Sequence, residues 1–173
     1  MPDTALLIID MLNPYDHEDA EPLAEDVRRK LPRIVELLET FSGSSDTLTV
    51  YVNDNGDRWE ADRGALISLA LEGEHRDLIE PIVPEEQVPF MMKGRHSIFY
   101  ETALHHLLRI NDVKRVIMAG QVTEQCILYS ALDAYIRGYE IVVPHDAVAH
   151  IDPELGEAAL KMMQRNMHAE LDV

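Results

Sequence analysis

The residues best suited to chemistry in this 173-residue chain lie far apart in sequence. Asp10 closes the apolar run "LLIID", Lys93 closes "FMMK", and Cys126, the chain's one cysteine, ends "AGQVTEQC". That cysteine stands where a segment of strand length, "RVIM", hands over to the helix-periodic "ILYSALDAYIRGY". A carboxylate, an ammonium and a thiol can form a covalent-catalysis set. The carboxylate takes the thiol proton, the ammonium holds the carboxylate and steadies the thiolate, and the sulfur attacks. A thiol at a helix start beside a cation is expected to favour thiolate. Each residue also has an ordinary reading: a small buried apolar cysteine, an aspartate bonding turn amides, a solvated lysine. Taken jointly, the three favour the chemical reading.

The elements that must position them are short. Five apolar runs read as strands: Ala5–Ile9, Leu48–Val52, Val88–Met92, Arg115–Ala119 and Ile141–Val143. They are continuous rather than alternating, as in strands covered on both faces of a parallel sheet. Helical patterns separate them. "VRRKLPRIVELLETF" repeats apolar residues every three or four positions, with Pro32 expected to kink that helix or start its main part. "ETALHHLLRI" has Thr102 as a candidate cap, and "EQCILYSALDAYIRG" ends on Gly138. "PELGEAALKMMQRNM" follows Asp152 as cap, with Pro153 in its first turn. A short helix is expected near Ala65–Leu71, and the tail "HAELDV" is a candidate sixth, edge strand. Strands alternating with helices predict an α/β fold: a three-layer α/β/α, doubly wound, mainly parallel sheet of five or six strands, in one domain spanning residues 1–173. In such sheets ligands bind at the carboxyl ends of the strands, where Asp10, Asn53, Asp54, Lys93 and the "GQVTEQC" turn all fall.

Composition narrows the function. The net charge is −17, from 15 Lys and Arg against 32 Asp and Glu. Such a surface repels nucleic-acid backbones and anionic lipids, so no nucleic-acid or membrane partner is expected. No apolar run reaches membrane-spanning length, and "ALLII" is too short for a signal-peptide core, so a cytoplasmic location is expected. One cysteine excludes an internal disulfide and any CxxC motif.

The segments "ALLIIDMLNPY", "MMKGRHSIFYETAL" and "MAGQVTEQCILYSALDAYIRGYEIVVPHDAV" together resemble the isochorismatase-like cysteine hydrolase superfamily, which includes nicotinamidases and N-carbamoylsarcosine amidases. In order and spacing they cover nearly the whole chain, and "YVNDNGDRW" resembles a bacterial subgroup. The resemblance implies a catalytic triad of Asp10, Lys93 and Cys126. It also implies a cis peptide between Gln121 and Val122, where Gln121 replaces the usual valine. That bond would turn the Val122 amide inward, to form an oxyanion hole with the Cys126 amide. Thr123 would hold the turn by side-chain hydrogen bonds. Glu124 would lie in the first helical turn, either favoured by the helix dipole or contacting substrate.

Nicotinamidases of this superfamily hold a divalent metal through an Asp-x-His motif after the second strand and a further histidine downstream. Here Asp54 is the one candidate; Asn55 and Gly56 follow it, and His75 stands alone. His105–His106, His145 and His150 have no zinc spacing either. No metal and no other cofactor is expected, which points away from nicotinamidase and toward a metal-free amidase.

Tyr15 and Trp59 are candidate substrate contacts or core residues; Phe99 and Tyr129 read more readily as core. Asn53 and Asn55 either bond an amide or carboxylate or shape their loop. The expected function is a cysteine-dependent hydrolase cleaving a C–N bond of a small amide or ureide through a thioester. The alternatives are an isochorismatase-type vinyl-ether hydrolase and a non-enzymatic binding protein on the same fold. A small-molecule substrate and a homo-oligomer, a dimer or larger, are the expected partners.

Overall fold

In the computed structural model, which describes residues 2–41, 43–44 and 46–173, the apolar runs become parallel strands. These are β1 (Thr4–Ile9), β2 (Thr47–Asp54), β3 (Phe90–Lys93), β4 (Arg115–Gln121), β5 (Glu140–Val142) and β6 (Val148–Ala149). The sheet runs β3-β2-β1-β4-β5, with β6 also pairing β4, and every pairing is parallel.

Helices cover both faces: α1 (Ala20–Phe41), α2 (Arg63–Glu72), α3 (Arg76–Ile79), α4 (Leu104–Ile110), α5 (Leu128–Ile136) and α6 (Pro153–Met167). The continuous apolar run of β1 is explained by its two buried faces. Ala5, Leu7 and Ile9 join a core with Leu104, Leu108, Ala131 and Met163 from α4, α5 and α6. Leu6 and Ile8 join a second core with Leu23, Val27 and Ile34 of α1 and Leu78 and Ile79 of α3. Each fully buried Leu, Ile, Val or Met among them contributes roughly 1.5–3 kcal/mol. The result is the three-layer, doubly wound α/β/α architecture expected from the sequence.

Local signals are mostly realised. Asp152 caps α6, its side chain accepting from the Glu154 and Leu155 amides, and Pro153 occupies the first turn. Gly138 follows α5 with φ +81°, a left-handed conformation that glycine adopts without penalty. Thr102 does not cap α4, whose N-cap is Ala103 without a side-chain cap bond, although its hydroxyl accepts from the Leu104 amide at 3.3 Å.

Three details differ from expectation. Pro32 sits inside a continuous α1 rather than starting it, because one missing donor is outweighed by packing on both sides of it, at Val27 and Ile34. The third strand begins at Phe90, not Val88, because the Val88 amide is spent on a turn, donating to the Glu85 carbonyl at 3.0 Å. The sixth strand is β6, not the tail, which contributes an isolated bridge from Glu170 to Val142. Among the described residues no helix is long and apolar enough to cross a membrane.

Register fixes what meets at the sheet edge. Ile9 pairs with Val52 on one side and Gly120 on the other, so the following residue, Asp10, falls level with Asn53 and Gln121. Asp54 pairs with Lys93. The close approach of β4 to β1 requires Gly120: its φ is +125°, and a Cβ there would lie 2.1 Å from the Ile9 carbonyl oxygen.

Candidate active site

At this edge Asp10, Lys93 and Cys126 come together. Lys93 Nζ lies 2.9 Å from Asp10 Oδ2 and donates to Cys126 Sγ at 3.5 Å. The other carboxylate oxygen, Asp10 Oδ1, accepts from the Asp54 amide at 2.7 Å. Asp10 itself has φ +54°, so the chain turns sharply as it leaves β1. The Lys93 side chain is fully buried, and Asp54 Oδ2 approaches it at 3.4 Å.

Cys126 is carried by a π-helical turn, Thr123–Ile127, that leads into α5. The peptide between Gln121 and Val122, just before this turn, is cis. The Val122 carbonyl accepts from the Gln125 and Ile127 amides at 3.0 and 3.1 Å, closing the turn. Glu124 does more than sit favourably in a helix dipole. Its Oε1 accepts from the Ile151 and Asp152 amides at 3.0 and 2.9 Å and ties the turn to the start of α6. Thr123 does not hold the turn by its side chain, since Oγ1 is buried without a hydrogen-bond partner.

Electrostatics set the resting protonation. Burial raises the Asp10 carboxyl above the usual carboxylate range, and Lys93, Cys126 and the Asp54 amide only partly offset it. Burial also works against the Lys93 ammonium, but Asp10, Cys126 and Asp54 outweigh it and push its pKa up to about 12. For Cys126, burial and then the Asp10 charge raise the thiol well above its usual range, and Lys93 does not compensate. The sulfur therefore rests as a thiol. The expectation of a resting thiolate fails because a buried sulfur next to a carboxylate feels desolvation and repulsion more than the cation.

A cavity of about 490 Å³ opens onto Cys126, Asp10 and Val122. Asn53 and Asn55 line it, but Asn53 is committed to the fold. Its Oδ1 accepts from the Leu12 amide, and its Nδ2 donates to the Leu12 and Asp54 carbonyls. Asn55 Oδ1 accepts from the Asp57 amide at 3.1 Å, shaping the loop. Tyr15 and Trp59 are not among the residues that line the cavity. Tyr15 has φ +55° and is buried. Its hydroxyl donates to Gln121 Oε1 at 3.3 Å, and Gln121 Nε2 donates in turn to the Asp10 carbonyl at 2.7 Å. Trp59 is 76% exposed and lies over Gly94, where a Cβ would come 2.9 Å from its ring. Phe99 is buried in the core, whereas Tyr129 is exposed.

Sequence reasoning singled out neither His96 nor His17, both of which line the cavity. His96 Nδ1 stands 3.7 Å from Cys126 Sγ. The available signal was its place three residues beyond Lys93, in "KGRHS".

The side chains do not fit a metal. Asp54 Oδ1 accepts from the Gly56 amide at 2.7 Å, and its Oδ2 faces the Lys93 ammonium. His75 Nε2 pairs with Glu21 at 3.0 Å, and its ring meets Tyr15 edge-on. Among the described residues no three His, Cys, Asp or Glu side chains are grouped to hold an ion.

This fold, with a thiol at a strand-to-helix turn, places the protein among α/β proteins of known families. The isochorismatase domain model matches residues 4–171. The isochorismatase family protein YaaI of Bacillus subtilis is 36% identical over 98% of this chain and 93% of its own length. The crystal structure of nicotinamidase PncA from Bacillus subtilis superposes with a TM-score of 0.79 at 28% identity, over 99% of both chains. That of N-carbamoylsarcosine amidase from Thermoplasma acidophilum gives 0.69 at 28% identity, over 99% of this chain and 96% of the other. The chain belongs to the isochorismatase family of hydrolases.

Proposed function

We propose that the chain is a cysteine-dependent hydrolase that cleaves the C–N bond of a small, uncharged amide or ureide through a thioester. The observation that carries this reading is a single ammonium, Lys93 Nζ, 2.9 Å from the Asp10 carboxylate and 3.5 Å from the Cys126 sulfur, at the wall of a cavity of about 490 Å³. That volume suits a small molecule.

The Cys126 thiol gives its proton to Asp10, whose raised pKa makes it a better acceptor than a free carboxylate. The sulfur bonds to the carbonyl carbon, and the carbonyl electron pair moves to oxygen. The Val122 and Cys126 amides hold that oxyanion. As it collapses the C–N bond breaks, and the departing nitrogen takes the proton from Asp10. Water then gives a proton to the freed Asp10 carboxylate as its oxygen bonds to the thioester carbon; the C–S bond breaks, its electron pair returns to sulfur, and Asp10 passes the proton to Sγ. Lys93 stays protonated throughout, holding Asp10 in place. None of these steps is routed through a metal.

Lining charges support a neutral substrate. Asp10, Asp16, Asp19 and Asp54 face the cavity, against Arg58. A substrate bearing carboxylates, as in vinyl-ether hydrolysis of isochorismate, would meet that row of like charges. The chain is further proposed to work as a homo-oligomer, supported by the exposed apolar side chains of Leu132, Tyr135 and Ile136 along α5.

The test is ammonia release from a panel of amides, carbamoyl compounds and ureides, with Cys126→Ala as the blank. Release by the wild type and not by the variant is expected. Equal release by both would defeat the nucleophile assignment. Tight binding of a panel member without turnover would favour a binding protein.

A further inference from the structure

A second cavity, of about 310 Å³, lies at the end of the sheet opposite the reacting groups, where Lys114 and Tyr139 lead into β4 and β5. His105 and Arg109 of α4 line it, with Lys114 before β4 and Arg137 and Tyr139 between α5 and β5. The chain holds 15 Lys and Arg against 32 Asp and Glu, yet this lining has three of the former and one of the latter, Asp112. A net charge of −17 repels anions at a distance, so a spot that attracts them has to be made locally.

The three cations are held differently. Arg137 is fixed in place: it donates to the Asp133 carbonyl at 3.0 Å, pairs with the Asp133 carboxylate at 2.5 Å, and lies over the Phe99 ring, 5.0 Å from its centroid. The Arg109 and Lys114 side chains have no hydrogen bond or ion pair with any described residue, and Asp112 pairs with neither. Capping of a helix end does not account for Arg109. The last carbonyls of α4 are already taken, Leu107 by Asn111 Nδ2 at 2.9 Å, Leu108 by the Val113 amide at 3.0 Å and Arg109 by the Asp112 amide at 3.1 Å. Beside the cations, His105 Nδ1 and the Tyr139 hydroxyl meet at 2.9 Å. Burial, then the charges of Arg137 and Arg109, hold His105 below its usual range, so both guanidinium groups bear on one imidazole.

We propose that this cavity binds a phosphate group, on a small ester or as the free ion, at a site separate from the catalytic one. Phosphate carries nearly two negative charges at neutral pH and several acceptor oxygens, which suits two guanidinium forks and an ammonium. Arg137 offers a fork already set by Asp133 and Phe99. Arg109 and Lys114, free of other partners, supply the remaining charge. Their mutual repulsion, which Asp112 alone does not cancel, is relieved when a dianion enters. The volume is at the low end for ligand cavities, so an ester that fits has to be small. The sulfur lies at the other end of the sheet, so the anion does not cover it.

Calorimetric titration of the full chain with inorganic phosphate and with glycerol 3-phosphate tests this, with acetate as the singly charged comparison. Saturable binding of at least one phosphate probe is expected, with a Kd near or below about 1 mM at low salt that weakens as salt is added. Arg109→Ala combined with Lys114→Ala alters only exposed residues, so thermal melting should match the wild type. Phosphate affinity should nevertheless fall by at least about 10-fold in that double variant. Tighter binding of the ester than of the free ion would mark a site for a phosphorylated metabolite, and the reverse a site for inorganic phosphate. Iodoacetamide should label Cys126 at the same rate with and without phosphate. No saturable binding of either probe, unchanged affinity in the double variant, or acetate binding as tightly as phosphate would overturn the proposal. Protection of Cys126 by phosphate would overturn it too, by putting the anion in the catalytic cavity.

Discussion

Asp10 and Gln121 are joined by a hydrogen bond that reaches from one strand to the next: Gln121 Nε2 donates to the Asp10 carbonyl at 2.7 Å. Gln121 in turn accepts from the Tyr15 hydroxyl. The base end of the site and the residue that leads into the sulfur-bearing turn are therefore tied by a side-chain amide on a backbone carbonyl, and not only through the Lys93 ammonium.

The first prediction separates activity from thiol reactivity. Cys126→Ala should abolish turnover, and Asp10→Asn should reduce it by at least about 100-fold. Alkylation should move the other way. Burial and then Asp10 hold the Cys126 thiol protonated, while Lys93 favours the thiolate. Wild-type Cys126 should react with iodoacetamide at neutral pH more slowly than a free thiol, and Asp10→Asn should react faster than wild type. Slower labelling in Asp10→Asn would show that the carboxylate does not set the thiol's protonation.

Lys93 and Cys126 should limit alkaline stability. Both have folded-state values raised above their ordinary ones, 10.5 and 9.0. At high pH the unfolded chain releases protons that the native state keeps, so unfolding free energy must fall as pH rises. The Cys126 part begins as pH passes 9.0, and the Lys93 part is lost from 10.5 toward about 12. Urea titrations across that window should show the decline, and Cys126→Ala should remove its earlier portion. A flat profile in the wild type would contradict the assignment.

Much of this arrangement is legible in the amino-acid sequence. Ala5–Ile9 and Arg115–Ala119 are continuous apolar runs, so they have to be buried on both faces, and a doubly wound sheet follows. Asp10 and Lys93 end two such runs, and Cys126 lies in the turn after a third, so their convergence at one sheet edge can be read. Tyr15 cannot, because a left-handed backbone at that residue sends its ring inward, and nothing in the residue type signals it. β6 is only two residues long and leaves no run to detect. His96 lies in a polar stretch without periodicity, and only the Ser97–Asp133 and Ile98–Ser130 bonds to α5 bring it to the sulfur.

Gly120→Ala should unfold or cripple the protein. A methyl group there would stand 2.1 Å from the Ile9 carbonyl oxygen, and φ of +125° is foreign to alanine. A loss of at least about 2 kcal/mol in denaturant unfolding, or insoluble expression, is expected. Wild-type stability in this variant would mean that β1 and β4 are less closely apposed than described.

Chelation should be without effect. Asp54 and His75 are engaged by Lys93 and Glu21, and no third ligand joins them among the described residues. Activity should survive dialysis against EDTA, and elemental analysis should find less than stoichiometric transition metal. Loss with chelator and recovery with zinc or manganese would defeat this.

Light scattering should give at least twice the single-chain mass of 19.7 kDa. Ile136→Asp with Leu132→Glu should shift the particle toward one chain, if the exposed stripe of α5 is the contact. A wild-type monomer at micromolar concentration would end the proposal.

The Tyr15–Gln121–Asp10 bridge has a consequence for how the protein fails when heated. The proposed reacting groups hang from the ends or end-turns of three strands of one sheet, β3, β1 and β4, with β2 joining the first two, and one of those groups, Lys93, is itself buried. No part of this assembly can fray while the sheet stays intact. Catalytic competence and cooperative melting should therefore be lost together, as one event, whereas the exposed Trp59 loop can change sequence with the clock of a surface rather than that of the core.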